Sequence, residues 1–165
     1  MRLNEFYGKK DQRWVLIYKA TRDGFRGSDF HRCCDNQGPT MTVIQSKNYG
    51  YLFGGYTSVS WKSINKYAAD INDPFLFTLT NPHGFPPTKY SNHHALSSIH
   101  DHGGNGPTFG GGHDLFVCNN SETGTGSYTN FPHSYTDTTN RGNATFTGSK
   151  TFRTNDIEVF RLKIN

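Results

Sequence analysis

The chain is poor in aliphatic and sulfur-bearing residues. Only 33% of its 165 residues are hydrophobic, with three cysteines and two methionines, and its mean hydropathy is −0.73. No apolar run approaches the ~20 residues that a membrane-spanning helix needs, and residues 1–8 contain no apolar core of a secretion signal. A soluble, cytoplasmic protein is therefore expected. Three cysteines cannot all pair, and the adjacent Cys33 and Cys34 are poorly placed to bridge one another, so no disulfide framework is expected. Two glycosylation sequons, at Asn119 and Asn143, are put down to chance in so Asn- and Thr-rich a chain. Clustered charge is also scarce. The net charge is +4, but acidic residues interrupt the basic spots at Lys9-Lys10 and Arg22/Arg26, which excludes the basic footprint of a nucleic-acid binder. Internal repeats of 20 to 50 residues are lacking too.

What the chain does have is rings. Aromatic residues make up 15%, with 13 Phe and 9 Tyr, which separates it from disordered chains of similar polarity and means that rings must build the core. One domain over residues 1–165 is expected, long enough to bury roughly 70% of the surface of the unfolded chain.

Leu3, Phe6 and Tyr7 fall at helical spacing before Gly8. The run Trp14 to Tyr18 reads as a buried strand. Ser28-Asp29 reads as the N-cap of a short helix presenting Phe30, Cys33 and Cys34, and residues 36–39 end it in a turn. Thr40 to Ile44 and Tyr51 to Tyr56 form a hairpin around the turn at 48–50. Phe75 to Leu79 and Asp114 to Cys118 are two further strands. In the last, Ile157 to Ile164, strict alternation sets Ile157, Val159 and Arg161 against Glu158, Phe160, Leu162 and Ile164. Glu158 is thereby expected on an inward face, held by hydrogen bonds or a cation. Residues 83–112 read as a long loop with one helical turn at 95–98, and 119–148 as loops with an edge strand near 144–146. The pattern predicts a mainly β fold, a sandwich of two antiparallel sheets with a few short helices.

Catalytic signals are weak. His93, His94, His100 and His102 are the only metal candidates, with His100 and His102 on one strand face. No Cys-x-x-Cys or His-Glu-x-x-His accompanies them, so no metal and no cofactor is expected. Cys33, Cys34 and Cys118 lack a recognisable nucleophile setting. The glycine-dense 103–112 lacks the ending of a phosphate loop and reads as tight backbone packing.

The string from Trp14 through Arg22-Asp23-Gly24-Phe25, then Phe30, Asp35 and Gly38-Pro39-Thr40, resembles the opening half of the TLDc domain. Phe53-Gly54-Gly55-Tyr56, Trp61, Phe75-Leu76-Phe77, Gly106 to Leu115 and Glu158-Val159-Phe160 continue the likeness in order over nearly the whole chain. A weaker likeness to interferon-induced TLDc proteins lies in Leu3 to Phe6. The resemblance implies a two-sheet β-sandwich of the kind found in oxidation-resistance proteins, with a role in oxidative-stress protection or in binding the vacuolar proton-pumping ATPase. It implies a non-enzymatic, monomeric protein-binding module. A thiol-dependent peroxide-handling enzyme and an immune-response protein are the alternatives. The glycines and rings of these motifs read as packing, whereas Arg22, Asp23, Asp35, Trp61, His113, Asp114 and Glu158 are the candidates for a partner-binding surface.

Overall fold

The computed structural model describes residues 2–164. Helix α1 (Arg2–Tyr7) precedes strand β1 (Trp14–Lys19), and two further helices, α2 (Ala20–Asp23) and α3 (Gly27–Cys34), follow it. Then come β2 (Thr40–Ser46), β3 (Leu52–Thr57), β4 (Lys66–Ala68), β5 (Phe75–Thr78), β6 (Thr88–Ser91), β7 (Ile99–Asp101), β8 (Thr108–Phe109), β9 (Leu115–Phe116) and β10 (Thr154–Leu162). The strands form two antiparallel sheets, one ordered β1-β10-β2-β3-β5-β6 and one ordered β4-β7-β8-β9. The last strand thus sits between the first two, Glu158 pairing with Lys19 on one side and Val43 on the other.

The β2–β3 hairpin forms as its pattern predicts. In β10, Ile157 and Val159 are buried in the main core while Glu158 and Phe160 lie half-buried on the opposite, outer face. The inward position expected for Glu158 is therefore corrected: the six-stranded sheet is apolar on both faces, so a neighbouring Phe does not mark the core side. Strand β1 is an edge strand, fully burying only Tyr18, not the buried strand its apolar run predicts.

The main core lies between the sheets and is largely aromatic, with Phe30, Phe53, Trp61, Tyr90, Phe109, Phe131, Tyr135 and Phe146 essentially inaccessible. Gly55 makes the close approach of the sheets possible. A Cβ there would lie 2.7 Å from Phe109 and 2.9 Å from Leu76, closer than packed carbon atoms tolerate. A smaller cluster of Leu3, Met41, Tyr56, Phe75 and Phe77 occupies the outer face under α1.

Three expectations about polar stretches fail. The loop read over 83–112 contains β6, β7 and β8, besides the short helical turn at Ala95–Ser97. The edge strand placed near 144–146 is instead a 3₁₀ turn at Gly142–Ala144, with Phe146 buried. Helix α3 is capped by Arg26 rather than Ser28, since the Asp29 carboxylate accepts the Arg26 N–H at 3.1 Å.

Candidate functional site

Short α1 leaves the outer face of the large sheet only partly covered. Phe6 and Tyr7 pack edge-on against Phe75 and Tyr56, at 6.3 and 5.3 Å between ring centres. Beyond the helix the apolar surface continues as an open groove of about 650 Å³, with Leu3, Trp14, Val15, Met41, Val43, Leu79 and Phe160 among its lining residues. Its polar lining includes Arg2, Arg13, Lys163 and Glu158. Arg2 pairs with Glu5 at 3.0 Å, and Glu158 with Lys19 at 2.5 Å, an ammonium it shares with Asp156. No ion pair involves Arg13 or Lys163 among the described residues, and both are exposed.

Lys19 gathers several of the motif residues. Its ammonium also contacts Asp156 at 2.6 Å, and its backbone N–H donates to Asp23, which is paired with Arg22 at 2.8 Å. Hydrogen bonds to Asp156 and Glu158 raise the Lys19 pKa, and the Arg22 guanidinium holds the Asp23 carboxyl below its ordinary value. Of these motif residues Glu158 lines the groove, whereas Arg22 and Asp23, in α2, are tied to Lys19 through its backbone N–H and do not line it. With about a third of each side chain exposed, the Lys19–Glu158 pair is a surface ion pair, worth at most about 1 kcal/mol. Replacing Glu158 with Gln should therefore leave thermal unfolding nearly unchanged, and a loss of more than 2 kcal/mol in a urea titration would contradict that placement.

The remaining candidates lie elsewhere and do different things. Trp61 and Asp114 are wholly buried. Asp35 accepts from Ser63 at 2.7 Å and pairs with the Nδ1 of His31 at 2.6 Å, a structural tie beside Trp61, with which its backbone forms a bridge. Nearby Asp101 is also buried and accepts the Lys62 N–H at 2.9 Å. Burial pushes its carboxyl up from 3.8 to about 6, with the Lys62 hydrogen bond and His31 pulling the other way. A carboxyl raised in this way stabilises the fold below the unfolded-state value and loses that contribution as pH rises through the folded one. Stability should accordingly fall by up to about 3 kcal/mol between roughly pH 4 and 6 from this group alone. Asp101→Asn keeps an acceptor for Lys62 and removes the buried charge. It should raise stability at pH 7 by about 1–3 kcal/mol and flatten the profile, as urea titrations at several pH values would show.

His113 joins the histidines of the second sheet. Its ring lies 5.2 Å from that of His100, which is 6.2 Å from that of His102. Its Nδ1 is 3.0 Å from the Tyr128 hydroxyl, and the Tyr67 ring lies tilted against His100 at 4.5 Å between centres. Burial lowers the pKa of both His100 and His113, favouring the uncharged rings. His93 lies apart, bonded to Thr136, and His94 is exposed. Among the described residues no group of three or more His, Cys, Asp or Glu side chains is arranged to hold a metal ion. Burial pushes the thiols of Cys33 and Cys34 upward, away from the thiolate form.

Comparison with known proteins bears on these motifs. The sequence profile of the TLDc domain matches residues 1–163. The chain belongs to the TLDc domain family. Among TLDc relatives, mouse MTOR-associated protein MEAK7 is 33% identical over 90 residues, half of this chain, and the Xenopus laevis protein of the same name is 28% identical over 122 residues, 70% of it. Human interferon-induced protein 44 is 45% identical over 69 residues, 41% of the chain. The chain spans 18%, 25% and 14% of the lengths of these three proteins.

The groove itself was missed by sequence reasoning. Arg13, Val43 and Lys163 carry no motif, and Val15 and Phe160 read as packing; the available signal was that strands β2 and β10 alternate apolar residues on both faces while α1 has only three apolar positions to cover the second one.

Proposed function

We propose that this TLDc domain is a non-enzymatic protein-interaction module, working as a monomer in the cytoplasm, in oxidative-stress protection or in binding the vacuolar proton-pumping ATPase. The observation that carries this reading is the open apolar groove beside α1, whose polar lining includes Arg2, Arg13, Lys163 and Glu158. A contiguous exposed apolar surface is unfavourable in isolation and is a common mark of protein–protein contact. The raised thiol pKa values of Cys33 and Cys34 weigh against the thiol-enzyme alternative, because the thiolate is the reactive form. The mTOR association in the name of the MEAK7 relatives makes mTOR-containing assemblies a second partner class. Purified domain should bind isolated proton-pump subunits or purified mTOR assemblies in a surface-immobilised binding assay. Absence of binding to both, together with peroxide consumption that disappears when Cys33, Cys34 and Cys118 are replaced, would overturn the reading.

A further inference from the structure

The outer face of the large sheet is a two-layer structure with its second layer unfinished. Helix α1 has six residues, a rise of about 9 Å, and covers one end of a six-stranded face about 24 Å wide. What α1 does on that face shows what the face accepts: Leu3, Phe6 and Tyr7 enter it from one side of a helix, Leu3 buried and the two rings half-buried against Met41, Tyr56, Phe75 and Phe77. The same floor continues past the helix through Val15, Val43 and Phe160, and no element among the described residues covers it. An apolar sheet face is ordinarily closed by a second layer, here one more amphipathic helix.

The charge around the opening chooses among such helices. Arg2 is paired with Glu5, and Glu158 shares the Lys19 ammonium with Asp156, so the exposed Arg13 and Lys163 are the groove's cations without an ion-pair partner among the described residues. Lys163 and Arg13 stand side by side, since the Lys163 N–H donates to the Arg13 carbonyl at 3.0 Å. Resting on the binding-module reading above, we propose that the groove takes an amphipathic α-helix of a protein partner, its apolar side chains on Val15, Val43 and Phe160 and its acidic residues against Arg13 and Lys163. Helix-in-groove recognition of this kind is read as anchors at i, i+3, i+4 and i+7.

Trp14 lines the groove whereas Trp61, the only other tryptophan, is wholly inaccessible, so tryptophan fluorescence reports on this site. The probe is a synthetic helical peptide of about 18 residues, long enough for several turns, with Leu at the anchor positions and Glu on the flanks. Two companions carry Lys in place of Glu, or Ala in place of Leu. The intact domain should bind the Glu-flanked peptide saturably with a change in Trp14 emission, and both companions at least tenfold more weakly. A folded Arg13→Glu/Lys163→Glu domain should bind the Glu-flanked peptide at least tenfold more weakly and prefer the Lys-flanked one. Equal affinity for both charge versions, or no binding of the Glu-flanked peptide, overturns the proposal, as does concentration-dependent dimerisation of the domain that shields Trp14 and makes a second copy the occupant. If the peptides fail while purified pump subunits or mTOR assemblies bind the charge-reversed domain as well as the native one, the groove assignment falls and the binding-module reading stands.

Discussion

Replacing Asp114 with Ala should cost about 3–5 kcal/mol, a large share of the ~5–15 kcal/mol that holds a domain together. Its carboxylate is wholly buried and accepts the backbone N–H groups of His133 at 2.7 Å, of Ser134 at 2.9 Å and of Tyr135 at 3.2 Å. The Asp114 carbonyl takes a fourth bond, from the Thr129 hydroxyl at 2.6 Å. One side chain thus ties β9 to a stretch from 129 to 135 that has no strand of its own, and that stretch delivers Phe131 and Tyr135 to the core. Alanine leaves three N–H groups facing a space that no other acceptor fills, each costing about 1–3 kcal/mol if it stays dry. Local opening of 129–136 limits the total below the simple sum. Gly110 is part of the same arrangement: at φ +90° it takes a left-handed backbone, and the Asp114 carboxylate occupies the place of its missing Cβ. Asp114→Asn keeps one strong acceptor and should lose about half as much. Urea unfolding of the three proteins measures the series. An Asp114→Ala domain with native stability but no partner binding would return Asp114 to the functional surface.

The sequence exposes its large sheet because strands β2, β3, β5 and β10 are apolar runs between turn residues, and the hairpin and the alternation of β10 follow from spacing alone. The second sheet hides for a physical reason. Strands β4, β7 and β8 are two or three residues long, so none carries a period of its own, and each is a strand because its neighbours supply hydrogen bonds; only β9 lies in an apolar run that marks it. The buried polar residues hide similarly. Thr108, Ser127, Thr129 and Ser134 are inaccessible because loop backbone meets their hydroxyls, as when Ser134 accepts the Gly111 N–H at 2.8 Å. Composition marks such residues as exposed. Asp35, Asp101 and Asp114 follow the same logic: residue type announces a charge, while only the fold shows whether it faces a partner or a row of amides. The groove is illegible for the opposite reason, since nothing in an apolar alternation says whether a covering layer is present.

Trp61 makes that contrast testable from the core side. It reads as a surface anchor in the motif, yet it is wholly inaccessible, meets Phe30 and Phe109 edge-on at 5.2 and 5.4 Å, and donates its indole N–H to the Thr40 hydroxyl at 3.0 Å. Through Phe109 it braces the contact that Gly55 allows between the sheets, and its carbonyl accepts the Asn36 N–H after α3. Trp61→Ala removes the largest ring of an aromatic core and leaves a cavity that surrounding β structure cannot close, a loss of about 3–5 kcal/mol. At roughly 2–4 °C per kcal/mol for a chain of this size, the melting temperature should drop by about 10–15 °C. Trp61→Phe retains much of the edge-to-face packing, sacrifices the indole hydrogen bond, and should fall between the two. Since Trp61 does not line the groove, partner affinity measured well below the melting temperature of Trp61→Phe should match the native value. Calorimetry alongside binding separates the roles: native melting with lost affinity would place Trp61 in the recognition surface, and lowered melting with native affinity places it where its packing does, between the sheets.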